Sequence, residues 1–132
     1  MGRKTGGWTI SHTVRCEHRG AYVCAAVTGD NTPDDVMEYL DEVRESCLGY
    51  GCPRVLIEED LKGPSLGTMA IYDIVTRGSR RAAPAVSKIA FLDLNAENAQ
   101  ENMKFAETLA VNRWLDVRFF TDRREAEQWL VA

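Results

Sequence analysis

Along residues 8–17 two kinds of side chain alternate: Ile10, His12, Val14 and Cys16 fall on one side, and Thr9, Ser11, Thr13, Arg15 and Glu17 on the other. A period of two with one wet face predicts a strand at a sheet edge or in an antiparallel pair. His18-Arg19-Gly20 reads as a turn, after which residues 21–28 carry almost no polar side chain. The two segments therefore predict a hairpin whose second strand is buried on both faces.

The period then changes. Gly29-Asp30-Asn31 breaks the strand, and Thr32-Pro33-Asp34-Asp35 opens a helix. Thr32 can cap, Pro33 suits the first helical position, and the two aspartates complement the helix dipole. Val36, Leu40, Val43 and Cys47 make one buried stripe, which Gly49 and Gly51 bring to a stop. Residues 54–57 form a short apolar strand running into Glu58-Glu59-Asp60, and a loop through Gly63-Pro64 leads to Ser65, placed to cap a helix over residues 66–77. Residues 88–94 are again apolar. Asn95 opens a third helix with Ala99, Met103, Ala106 and Ala110 inward and Leu109 beside them. Residues 117–120 are the last strand. Asp122-Arg123-Arg124-Glu125 is a close variant of a capping box, with Ala126, Trp129 and Leu130 on the inner side of a closing helix.

The order β-β-α-β-α-β-α-β-α predicts an α/β fold: a single mixed, mostly parallel five-stranded sheet with an N-terminal hairpin, right-handed crossovers and about four helices. Residues 1–7, with three glycines and two cations, read as a flexible lead, and residues 8–132 as one domain. A chain of 132 residues, 45% hydrophobic and 27% charged, can bury a core without staples, which excludes a disordered chain. No apolar run approaches the ~20 residues that cross a bilayer, and the expectation is a cytoplasmic protein without a transmembrane segment. With 16 basic against 20 acidic residues the net charge is −4, which disfavours nucleic acid as a partner. Cys16, Cys24, Cys47 and Cys52 contain no Cys-x-x-Cys pair, so they are expected as reduced, small apolar side chains; Cys47 and Cys52 flank a Gly-rich turn where they could also oxidise.

Several stretches in the last third resemble a known family. Phe105-Ala106-Glu107-Thr108, Asn112-Arg113, Val117-Arg118-Phe119-Phe120-Thr121-Asp122, Glu125-Ala126 and Trp129-Leu130 look like the C-terminal half of STAS-like proteins of the SpoIIAA-like group. The element order matches over nearly the whole chain. The resemblance implies a regulatory module that binds protein partners or, in some members, nucleotides or apolar ligands. It also implies a phosphoacceptor serine at the start of the second helix, where Ser65 and Gly67 stand, with Pro64 in the place of the family's aspartate. A phosphate on Ser65 would sit at a helix N-terminus, which favours an anion. A capping role explains Ser65 equally well.

Four other groups invite chemistry. Glu58, Glu59 and Asp60 are expected just past a strand end, where open α/β sheets place ligands; they suit acid–base work or a divalent metal, and equally a solvated strand end. No neighbouring residue completes a catalytic set, so no enzyme activity is expected. His12, Cys16 and His18 share one parity, but their spacing matches no familiar metal site; the expectation is a partly buried His12, a core Cys16, an exposed His18 and neither metal nor cofactor. Arg77, Arg80, Arg81 and Lys88 form a basic cluster suited to a phosphate, an acidic partner or a headgroup, or simply to solvent, with Asp73 one turn from Arg77. Leu66, Met69, Ala70, Ile71, Ile74 and Val75 cover more of the second helix than one stripe needs, and Met69 and Tyr72 suit an adaptable contact surface.

The leading expectation is thus a non-enzymatic regulatory or protein-interaction module, binding a protein partner or a second copy of itself through the loop at residues 60–67 and the second helix. The alternative is a carrier or sensor of a small apolar or anionic ligand, held between the second and third helices and the sheet edge. An enzyme using Glu58 and Asp60 is the third reading.

Overall fold

A computed structural model describes residues 12–63, 66–82, 85–94, 100–111 and 115–132. Strand β1 (His12–His18) pairs antiparallel with β2 (Val23–Asp30) across a turn in which Gly20 adopts φ 76°, a left-handed conformation that favours glycine. On β1, His12, Val14 and Cys16 face inward while Thr13, Arg15 and Glu17 are exposed, as the alternation predicts.

Helix α1 (Pro33–Tyr50) begins at the predicted cap, where the Thr32 hydroxyl accepts from the Asp35 N–H. It ends at Gly51 in the left-handed region, whose N–H turns back to Leu48 O, with Cys52 N donating to Cys47 O. The inward stripe is Val36, Tyr39, Val43 and Cys47. Tyr39, fully buried, takes the central position, and Leu40 is only partly buried.

Strand β3 spans Arg54–Lys62 and therefore runs through the three acids instead of ending before them. Leu61 explains the correction: two positions beyond Glu59, it is buried in the same core as Val55 and Ile57 and keeps the strand going. Helix α2 (Thr68–Ala82) starts later than expected, its first turn closing from Ile71 N to Gly67 O, and continues through Gly78 and Ser79. A Cβ on Gly78 would lie 3.9 Å from Leu40 of α1. Strands β4 (Lys88–Asp93) and β5 (Asp116–Phe120) and helices α3 (Gln100–Val111) and α4 (Arg123–Val131) complete the order.

The strands lie in chain order, β1-β2-β3-β4-β5, all parallel after the hairpin. Right-handed crossovers that always step in one direction put every connecting helix on the same face. Helices α1, α2 and α3 accordingly share one core, which includes Val55, Ile57, Ile89, Phe91 and Val117 of the sheet. Among the described residues α4 alone covers the other face, where Ala126 and Leu130 pack on Tyr22, Cys24, Leu56, Ala90 and Leu92. Among the described residues the strand order never reverses, so the sheet has no topological switch point.

Candidate functional site

Between the sheet and the three helices on its crowded face lies a cavity of about 170 Å³. Its floor follows from strand register. Val55, Ile89 and Val117 are aligned on adjacent strands, and Ile57, Phe91 and Phe119 form the next inward row. Phe91 and Phe119 stack at 4.7 Å between centroids with planes 12° apart. The following row is acidic: Glu59 of β3 lies opposite Asp93 of β4. The floor thus changes from apolar to acidic toward the C-terminal edge of the sheet. Helix α2 contributes Ile71, Ile74, Val75 and Ser79 to the roof, and α1 contributes Tyr39 and Val43.

Glu59 is 9% exposed and accepts a hydrogen bond from the Tyr39 hydroxyl. Burial in the apolar core pushes its carboxyl up to about 7, against the opposing pull of that hydrogen bond and with help from the Asp93 charge. Burial also raises the Tyr39 phenol well above its ordinary value, again with Glu59 contributing, so Tyr39 remains the donor. Ser79, 6% exposed, lines the cavity with a hydroxyl that has no hydrogen-bond partner among the described residues. Leaving such a group unsatisfied costs about 1–3 kcal/mol. The cavity is partly open to solvent, so an occupant with an apolar body would remove mainly apolar lining from water.

Among the solved structures that resemble the whole fold is the crystal structure of an uncharacterized protein of the DUF3478 family with a SpoIIAA-like fold, from Shewanella loihica PV-4. The two are 20% identical; the match covers 96% of this chain and 98% of the other, with a TM-score of 0.54. This chain has a SpoIIAA-like fold. No family model matches the sequence, and no curated protein matches it.

Within this SpoIIAA-like fold, the residues expected to carry function are scattered. Ser65, the candidate phosphoacceptor, lies outside the described residues, as does Pro64. Gly67 and the partly buried Leu66 lead into α2. Met69 is 79% exposed and Tyr72 is also exposed, on the side of α2 away from the cavity. The basic cluster does not converge: Arg77 pairs with Asp73 at 2.9 Å, Arg81 reaches Asp41 of α1 at 2.7 Å, and Arg80 is exposed. Lys88 is on the α4 side, its ammonium on Trp129 O at 2.7 Å and 4.5 Å above the indole ring. The strand-end acids are corrected too. Glu58 and Asp60 lie inside β3 on the α4-facing parity, Glu58 ion-paired to Arg123 and Asp60 exposed. Strand alternation puts both on the sheet face opposite Glu59. Glu59, which the expected site left aside, is the acid at the cavity; the buried Leu61 beyond it was the sequence signal.

A second polar constellation lies at the opposite sheet edge. His12, 4% exposed, has Nδ1 at 3.1 Å from Asp35 and 3.7 Å from Glu38, and Nε2 at 2.8 Å from Glu42. Burial lowers its basicity, but the hydrogen bonds and charges of Glu42 and Asp35 outweigh that and leave it raised. Among the described residues His12, Asp35 and Glu38 are the set close enough to ligate a cation. His12 bridges Asp35 and Glu42, and its raised basicity suits a tie between β1 and α1 that is ion-paired whenever the ring is protonated. Cys16 is partly buried within the main core, and His18, exposed, stacks on Tyr50. Cys47 and Cys52 are both buried free thiols, and burial, aided by the neighbouring cysteines, pushes Cys47 up to about 12, which suits a packing role. No helix among the described residues is long and apolar enough to cross a membrane.

Proposed function

We propose that this chain is a non-enzymatic binding module whose ligand is a small molecule with an apolar body, held in the cavity between the sheet and α1–α3. The observation that carries this reading is the cavity itself, about 170 Å³ of mainly apolar lining on the crowded face. Apolar cavities near ~150 Å³ take small hydrocarbon or aromatic molecules without water. An unpartnered Ser79 hydroxyl and the Glu59–Tyr39 pair add a few polar groups to an apolar wall, the composition typical of small-molecule sites. No nucleophile–base pair forms among the described lining residues, which favours binding over catalysis.

Native mass spectrometry of the protein purified from its own cells, set beside its denatured mass, tests this. Added mass that disappears on denaturation supports a retained ligand. A clean complex of two or more chains with no added mass favours the second reading, a protein-interaction module. That reading draws on α2, whose outer side exposes Met69 and Tyr72 while its inner side roofs the cavity. One helix bearing both surfaces would let an occupant bias a partner's docking, as regulatory modules do.

A further inference from the structure

We infer that the polar end of this ligand is a carboxylate, seated at the end of the cavity lined by Arg44 of α1 and Ser79 of α2. The inference rests on the cavity being a ligand site and adds which chemistry it selects. Ser79 is 6% exposed, lines the cavity and carries a hydroxyl without a hydrogen-bond partner among the described residues. Arg44 lines the cavity too, and its Nε–H is buried and equally without a partner there. The two stand on neighbouring helices that approach closely: a Cβ on Gly78 would lie 3.9 Å from Leu40. Arg44 is one turn beyond Leu40, and Ser79 directly follows Gly78.

Both orphan groups are donors. A guanidinium has N–H donors and no acceptor, and a hydroxyl can donate one hydrogen. The nearest carboxylate to the terminal nitrogens of Arg44 is that of the exposed Glu45, at 4.0 Å, too long for a hydrogen bond. Arg81, the other cation on the cavity wall, is already held by Asp41 at 2.7 Å. A carboxylate offers two acceptor oxygens and a charge opposite to that of Arg44. An ammonium would bring donors to donors, and an alcohol would bring one oxygen and no charge. The position also keeps the head away from Glu59. Tyr39, bonded to Glu59, lies five residues before Arg44 on α1, about 7.5 Å at 1.5 Å per residue. Beyond the head, Ile57 and the stacked Phe91 and Phe119 offer a surface for an alkyl or aryl body.

The test compares three probes of one chain length, n-octanoate, n-octanol and n-octylamine, titrated into the full chain at pH 7 by calorimetry and thermal shift. Octanoate is expected to bind about tenfold or more tighter than octanol, with octylamine weakest. Arg44→Met, which keeps the apolar stem, is expected to lower octanoate affinity by about tenfold while moving octanol by less than about twofold. Ser79→Ala is the second variant in case Arg44→Met does not fold, since removing an unsatisfied buried hydroxyl should not destabilise the free protein; a loss of about threefold for octanoate is expected. Octanol or octylamine binding as tightly as octanoate, or octanoate affinity unchanged in a folded variant, overturns the carboxylate head and leaves the cavity reading standing. Failure of all three probes to bind, or binding that survives filling the cavity with Ala110→Phe, overturns the cavity reading itself.

Discussion

The two faces of the sheet solve different problems. On one face a single nine-residue helix, α4, buries Ala126 and Leu130 completely against Leu56, Ala90 and Leu92. Its rim is tied down by polar contacts: Tyr22 to Glu127 at 2.7 Å, Arg54 to Leu130 O at 2.9 Å, Lys88 to Trp129 O and Arg123 to Glu58. On the other face three helices share one floor, and their convergence leaves a cavity and a buried acid. The lightly covered face is braced at its rim, while the heavily covered face keeps open space above its floor. Three helices whose axes are set by crossover geometry cannot all fit one floor perfectly, and the mismatch collects between them.

The largest expected effect breaks the braced face. Leu130→Ala should cost about 2–5 kcal/mol in chemical denaturation, because the side chain is fully buried and its truncation leaves a void.

Next comes the buried acid. The Glu59 carboxyl is at about 7 in the folded chain against an ordinary 4.5, so the folded state holds the proton more tightly. Its stability contribution is complete below pH 4.5 and is lost as pH rises through 7, a swing of about 3 kcal/mol. Denaturation midpoints measured from pH 5 to 9 should fall, and Glu59→Gln should flatten most of that slope. His12, also raised, contributes in the same direction: its share is present below pH 6.5 and fades as pH rises through its folded value. The residual slope in Glu59→Gln should therefore vanish in the double variant with His12→Gln.

A matched pair sharpens the comparison directly. Ala126→Leu, on α4 at a fully buried position, should lose about 1–3 kcal/mol through overpacking. Ala110→Leu, on α3 at the cavity, should be neutral or stabilising, since the added methyl groups enter existing space. Equal losses at both sites would mean that the two faces pack alike. The smallest effect belongs to the outer side of α2: Met69→Ser should change stability by less than about 0.5 kcal/mol, because the side chain is almost wholly in solvent. Any loss of a protein partner in that variant would then be a binding effect.

Much of the fold was legible from local chemistry. Thr32 and Asp122 act as the helix caps that their side chains suggest, and Gly51 takes the left-handed stop. The alternation from His12 to Glu17 survives as a strand with one wet face. The site was less legible. Three consecutive acids hide the inward parity of Glu59, because polarity reads as a strand end before periodicity reads as a strand. Tyr39 shares a stripe with Val36 and Val43, three and four positions away, but a tyrosine among polar neighbours does not declare itself as core. Ser79, next to Gly78, resembles a helix terminus until the packing of α2 on α1 carries the helix past it.

By itself the sequence determined the order of elements, the hairpin, the helix boundaries at Thr32, Gly51 and Asp122, and the mostly parallel α/β sheet. These follow from periods, caps and turn residues that act over a few positions, and from a handedness that all L-amino-acid chains share. Only the tertiary structure decided that Glu59 and Asp93 form one row, that Arg77, Arg81 and Lys88 part company, and that a cavity remains under α1–α3. Those outcomes depend on register between strands and on how three helices share one floor. They are sums over many long-range contacts, and no short stretch of the chain contains them.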